Sequence, residues 1–135
     1  MLLKKYQVGL EYMIIIGFVS FAIVIILLAA YSYMGIARDK IKMNQIEVLA
    51  NKIISASESV FFAGYPSKAE ISVYMPKNVK NITLDNNYLI IEMETSSGNI
   101  IRSFKSRVPM SGNIDIGEGT KKLTITAQQD YVSIT

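Results

Sequence analysis

Apolar side chains cover every side of the segment 12–37, which lacks the polar face of a surface helix. The 26 residues from Tyr12 to Ala37 contain no charge. As a helix, this segment would be about 39 Å long at roughly 1.5 Å per residue, compared with about 30 Å for the hydrocarbon core of a bilayer. The pattern therefore predicts a helix that can cross a membrane.

A second helical pattern follows directly, and it is amphipathic. Its apolar residues recur at steps of three and four, while polar and charged residues fill the positions between them. These apolar positions are Met43, Ile46, Leu49, Ile53, Ala56 and Val60. Gly64, followed by Pro66, is a typical helix stop. We predict one continuous helix from Val8 to Ala63, whose second half packs on the rest of the chain and, in one interpretation, also contacts neighbouring subunits.

Beyond Ala69 the apolar period shortens to 2, which is typical of β-strands. Leu89, Ile91 and Met93, for example, alternate with Ile90, Glu92 and Glu94, so that one face can point to a core. Turn-forming residues separate the strand patterns at Asp85-Asn86-Asn87, Ser96-Ser97-Gly98-Asn99, Gly112-Asn113 and Gly117-Glu118-Gly119. We expect about six or seven strands. The predicted fold is α+β: a long N-terminal helix followed by a small antiparallel all-β domain over residues 65–135.

Charge and composition narrow the classes of function. Residues 65–135 carry eight Lys or Arg and seven Asp or Glu, so the region is close to neutral and has no basic stripe for nucleic acid. The chain contains no cysteine and no histidine. It therefore lacks disulfides, thiol chemistry, the usual general base and the commonest metal ligand. We expect no catalytic activity, no cofactor and no metal.

Acidic residues of the β-region provide two weak candidate sites. Glu92 and Glu94 share one strand face, where we expect them to be solvated beside a cation of the group Arg102, Lys105 and Arg107. Asp115 and Glu118 flank a glycine-containing loop, but two acids without a full series of ligands are a poor predictor of calcium binding. One further candidate is the sequon Asn81-Ile82-Thr83, which predicts N-glycosylation at Asn81 if this region is exported.

The residues before the apolar segment have an unusual order. Lys4 and Lys5 are followed by Gln7 and by a lone acid, Glu11, directly before Tyr12. The apolar run is longer than the core of a secretory signal peptide, and no small-residue cleavage site follows it. We therefore expect the helix to stay in the mature protein. The positive-inside rule alone does not place the residues after the span outside the cell, because they include Arg38, Lys40, Lys42 and Lys52.

The pattern Lys4-Lys5-x-Gln7-x-x-x-Glu11-Tyr12 before a long apolar helix resembles the class III signal peptide of archaeal type IV pilins. The resemblance implies that a prepilin peptidase cuts between Tyr6 and Gln7 on the cytoplasmic side. Residues 1–6 would then be the signal peptide, with Lys4, Lys5 and Gln7 as its recognition residues, and 7–64 the mature helix. Tyr6 departs from the small residue, often glycine, that usually precedes the cut in that family.

Glu11 has two interpretations. From its position alone, it marks the headgroup level at which the membrane span begins. The resemblance implies a role in assembly, in which Glu11, the fifth mature residue, pairs with the free amino group of Gln7 in a neighbouring subunit. A carboxylate that enters an apolar bundle needs such a partner, because an unpaired buried charge is costly.

The resemblance favours a structural function. We expect a subunit of an adhesive type IV pilus, held in the cytoplasmic membrane as a precursor with residues 65–135 outside, and polymerised through its helix into an extracellular filament. Its partners would be identical or related pilin subunits, the prepilin peptidase, the assembly platform and, before assembly, the lipid bilayer. The alternative is a minor pilin-like protein that remains membrane-anchored and binds a ligand. An anchored enzyme is the weakest hypothesis.

Overall fold

A computed structural model describes the backbone of residues 2–135 and the side chains of residues 4 and 6–135. One helix, α1 (Leu2–Ala63), precedes seven strands. The strands are β1 (Lys68–Met75), β2 (Val79–Asp85), β3 (Tyr88–Thr95), β4 (Gly98–Lys105), β5 (Met110–Gly112), β6 (Gly119–Ala127) and β7 (Val132–Ile134). The predicted α+β class, with a long helix before a small β-domain, is confirmed. The chain divides into an N-terminal unit that ends at Arg38 and a C-terminal unit, Asp39–Thr135.

The second half of α1 supplies one side of the hydrophobic core. The predicted stripe is confirmed, because Ile46, Leu49, Ile53 and Val60 are buried together with apolar residues of the strands. Burying each such side chain contributes about 1.5–3 kcal/mol. The helix ends where its sequence predicts, since Gly64 has a φ of 88° and donates its backbone N–H to the carbonyl of Phe61 at 3.0 Å.

The strands form two sheets. One has the order β1-β6-β7-β5 and the other the order β2-β3-β4. The predicted hairpins at 85–87 and 96–99 are present: β2 pairs with β3 across Asn86-Asn87, and β3 pairs with β4 across Ser96-Ser97. Asn86 has a positive φ of 48°, a conformation that asparagine tolerates better than most residues. The period-2 pattern predicted their core faces correctly, as Leu89, Ile91 and Met93 are fully buried.

One strand pair departs from the antiparallel prediction. β5 and β7 run parallel over three residue pairs, Met110–Val132 to Gly112–Ile134, while the other four pairs are antiparallel. The reason is that β7 turns back along β6 and its other edge then receives β5, which precedes β6 in the chain. The two strands approach closely at Gly112, where a Cβ atom would lie 2.0 Å from the carbonyl oxygen of Ile134.

Polar contacts attach the second half of α1 to both sheets. The Asp39 carboxylate accepts hydrogen bonds from the backbone N–H of Ser96, at 3.2 Å, and from its hydroxyl. Glu58 accepts the backbone N–H of Arg107 at 3.0 Å, just after β4. Lys52 donates to the carbonyl of Ser72 in β1 at 2.6 Å. The helix is therefore held at the start, middle and end of its amphipathic half.

Candidate membrane and assembly segment

The candidate functional segment is the apolar half of α1, residues 12–37. It is helical throughout, and its side chains are exposed except for the half-buried Ala22 and Gly35. The described residues contain one helix long and apolar enough to cross a membrane, and none of its most apolar window is buried within the structure. Contiguous exposed apolar surface of this extent is rare on soluble monomers. The segment therefore needs lipid or another protein to remove it from water.

The predicted processing residues lie at the start of the same helix. Lys4, Tyr6 and Gln7 are helical and exposed, so the structure brings them together only as near neighbours along one helix. The fourth residue of the predicted motif, Lys5, has its side chain outside the described residues.

Glu11 is the one charged residue between Gln7 and Ala37, and it is exposed. Among the side chains that the structure describes, none forms an ion pair or hydrogen bond with it. A carboxylate at the centre of a membrane helix costs about 2.5–3.5 kcal/mol on insertion scales, and less near the interface. Any burial of this residue therefore requires a compensating group from lipid, solvent or a second molecule.

The acidic strand face of β3 is solvated, but the predicted partners were wrong. Glu94 pairs with Lys80 of β2 at 2.9 Å, and Glu92 accepts a hydrogen bond from Asn99 at 3.2 Å. A bulge between Val79 and Asn81 lies beside these residues, and the period-2 pattern does not reveal it. The hydrogen bond with Lys80 lowers the pKa of Glu94, and the same bond raises the pKa of Lys80.

The acids of the 115–118 loop are both paired with lysine. Lys121 bonds to the Asp115 carboxylate, which also accepts the backbone N–H of Gly117 at 3.0 Å. Glu118 lies 3.5 Å from the ammonium of Lys77. The hydrogen bond from Lys121 is the main cause that lowers the pKa of Asp115. Within residues 2–135, the described side chains form no acidic cluster of three that could hold a metal ion.

The neighbours of the sequon in the sequence suggested a position between turns. In the structure the sequon lies on a strand instead. Asn81 is on β2, at the edge of the three-stranded sheet, and its side chain is exposed. Its amide Nδ2 lies 3.4 Å from the hydroxyl of Thr83, while Ile82 between them is buried. The acceptor nitrogen is thus on the solvent side of an edge strand.

A groove beside the amphipathic half of α1 was not predicted. Its volume is about 550 Å³, and it runs between α1 and the edge strand β1 within the C-terminal unit. Its lining is mostly apolar, and it comprises Ile41, Asn44, Gln45, Val48, Leu49, Lys52, Ser72, Val73, Tyr74 and Thr120. The helical spacing of its α1 residues was visible in the sequence, but the adjoining strand is 20 or more residues away and gave no signal.

In comparisons with known proteins, no family model, no curated protein and no solved structure matches this chain.

Proposed function

We propose that this protein is the structural subunit of an adhesive surface filament of the archaeal type IV pilus kind. It enters the cytoplasmic membrane as a precursor, is cleaved before Gln7, and polymerises through the apolar half of α1. The C-terminal unit then forms the outer surface of the filament. This role is non-enzymatic, and its partners are further copies or related subunits, the prepilin peptidase and the assembly platform.

One observation carries the proposal: an apolar helical segment is exposed on all sides and carries a single acid at its N-terminal edge. A plain membrane anchor needs the apolar residues but gains nothing from Glu11, whose charge opposes insertion. A subunit that moves from lipid into a helical bundle needs both, because the apolar residues suit either environment and the acid gives the bundle a polar registration point. The Lys4-Lys5-x-Gln7 motif before it adds a processing site.

N-terminal sequencing of protein from sheared surface filaments tests the proposal. We expect the sequence to begin at Gln7 and this chain to dominate the fraction. The variant Tyr6→Gly should be processed at least as completely as the wild type, because glycine is the usual residue before the cut in the family that the motif resembles. Lys40→Ala, beyond the apolar segment, is the matched control and should leave processing unchanged.

Two outcomes would contradict this function in different ways. An intact N terminus, found only in membranes, would favour a plain anchor. Processed protein that is scarce in filaments would instead favour the alternative, a minor pilin-like subunit that binds a ligand.

Asn81 remains a proposed glycosylation site on the exported unit. Exposure on an edge strand is compatible with a bulky glycan, because the side chain faces solvent. Intact-mass measurement of the filament protein should show an added glycan that disappears in Asn81→Gln. An unmodified mass in the wild type would contradict the assignment.

A further inference from the structure

The groove beside α1 presents an open apolar surface inside an otherwise packed unit. Leu49 and Val73 form its buried floor, whereas Ile41, Val48 and Tyr74 on its walls are 57%, 67% and 50% exposed. Exposed apolar residues gathered in one concavity mark an interaction site more often than scattered ones do. We therefore expect the groove to bind an apolar partner.

The polar groups of the groove favour a helix over an added strand. Lys52 is the only charged residue of the lining, and its ammonium already occupies the carbonyl of Ser72 on β1. Lys52 lies on α1, and its ammonium takes one of the backbone acceptors of β1 that an incoming strand would need. A helix satisfies its own backbone hydrogen bonds and can bury a stripe of side chains without using that edge.

The α1 wall of the groove has a repeated spacing that recurs in the apolar half of the same helix. Six residues of α1 line the groove, and four of them follow steps of four, three and four: Ile41, Gln45, Val48 and Lys52. The same steps, 27 positions earlier, give Ile14, Phe18, Phe21 and Ile25. All four are exposed, and they include both phenylalanines of the segment 12–37. This face is the bulkiest apolar stripe available to fill the groove.

Two opposite charges are separated by the same 27 positions. Glu11 lies three residues before Ile14, and Arg38 lies three residues before Ile41, so these two charges are also 27 positions apart. Arg38 is exposed, and among the described side chains it forms no ion pair and donates one hydrogen bond, to the sulfur of Met34 at 3.5 Å. A carboxylate and a guanidinium brought together in an apolar setting form the strongest class of charge-assisted hydrogen bond.

We propose that the groove seats the face Ile14–Phe18–Phe21–Ile25 of a second copy, parallel to α1 and displaced by 27 residues. This displacement is about 40 Å along a helix axis and places Glu11 of one copy beside Arg38 of the next. The inference rests on the proposed function, which supplies copies inserted in one direction. It adds a binding surface on the C-terminal unit and a second partner for Glu11 besides the amino group of Gln7.

Cysteine cross-linking in filaments tests the contact directly, because the natural chain contains no cysteine. The double variant Phe21→Cys, Val48→Cys should form a covalent ladder of dimers and higher oligomers on mild oxidation. The matched control is Phe21→Cys, Ser103→Cys, whose second cysteine lies exposed on β4 and should give no ladder. Each single variant should give dimers at most.

Substitutions at Arg38 test the register. Arg38→Glu should lower filament yield roughly tenfold or more, as loss of a buried charge partner does in interfaces. Arg38→Lys keeps the positive charge and should retain a large part of the yield. Lys40→Glu, two positions away, is the control and should leave the yield near that of the wild type.

The outcomes separate the two proposals. If the wild type forms filaments but those of the Phe21→Cys, Val48→Cys variant show no ladder, the groove assignment is overturned and the filament function stands. A Val48 cross-link to a different protein, or an Arg38→Glu filament yield equal to that of the wild type, would overturn it as well. Failure of the wild type to form any filament would overturn the proposed function, and the groove assignment with it.

Discussion

The two halves of α1 both carry many apolar side chains, but they differ in how these side chains are removed from water. Ile53 in the second half is fully buried against the strands, whereas Ile25 in the first half is 51% exposed. Both are isoleucines on one helix, and each gains about 1.5–3 kcal/mol when it leaves water. The second half obtains that energy within its own chain. The first half is exposed among the described residues, so lipid or other molecules could cover its surface.

The two halves of α1 should respond differently to single substitutions. Substitutions in residues 12–37 should alter insertion or assembly and leave folding of the C-terminal unit intact. Substitutions in residues 43–60 should alter the stability of that unit. Three substitutions in α1 test this division, and a fourth, in β2, tests an ion pair of the C-terminal unit.

Glu11→Val should abolish filament formation while membrane insertion continues. The substitution removes the lone acid directly before the apolar half and makes this part of the helix more hydrophobic, so insertion is not impaired. Filament yield by electron microscopy and the membrane-bound fraction are the two measurements. Glu47→Val, an exposed acid in the second half, is the matched control and should still form filaments. Normal filaments from Glu11→Val would remove the assembly role of this carboxylate.

Ile53→Ala should destabilise the C-terminal unit by about 2–5 kcal/mol, because it leaves a cavity in a packed core. Urea unfolding of the full chain in detergent micelles, followed by circular dichroism of the sheets, measures this effect. The matched variant Ile25→Ala should leave the unfolding free energy of the unit nearly unchanged. Equal losses from the two variants would mean that the halves of α1 are not energetically separate.

Ser57→Ala should stabilise the C-terminal unit by about 1 kcal/mol. Ser57 is fully buried, and its hydroxyl has no hydrogen-bond partner among the described residues. A buried unsatisfied hydroxyl costs about 1–3 kcal/mol, and alanine also has the better helix propensity. Ser55→Ala, on the exposed side, isolates the propensity effect and should give a smaller gain. A destabilised Ser57→Ala would show that the hydroxyl has a partner in solution.

Lys80→Met should lower the thermal midpoint slightly at neutral pH, and the difference from wild type should vanish in acid and in strong base. The pKa of Glu94 is lowered by Lys80, so the stabilisation is present above the usual carboxyl range of about 4 and is lost as the pH falls through the native value below it. The pKa of Lys80 is raised, so the same pair is lost above about 10. Lys122→Met, an exposed lysine without a described ion pair, should give a midpoint that stays close to wild type. A Lys80 effect that persists in acid would indicate lost packing instead of lost charge.

The helix, its stop and the strand faces could be read from the chain because each depends on local spacing. Ile46 to Val60 follow the helical period, Gly64 ends the helix, and Leu89 to Met93 alternate with polar positions. The polar contacts could not be read in this way. Lys80, the partner of Glu94, lies at the bulge of β2, and Asp39 reaches Ser96 across 57 residues of chain. Such partners depend on how distant segments meet.

The same limit applies to the candidate assembly segment. The uncharged residues 12–37 and the lone Glu11 are properties of the sequence alone, since hydrophobicity and charge need no fold to be recognised. The groove, by contrast, exists only where α1 meets the edge of β1, and its floor joins Leu49 to Val73. Hydrophobic patterning therefore determined which surfaces must leave water. The tertiary structure decided which of them are satisfied within the chain and which remain open to a partner, because that depends on the arrangement of elements far apart in sequence.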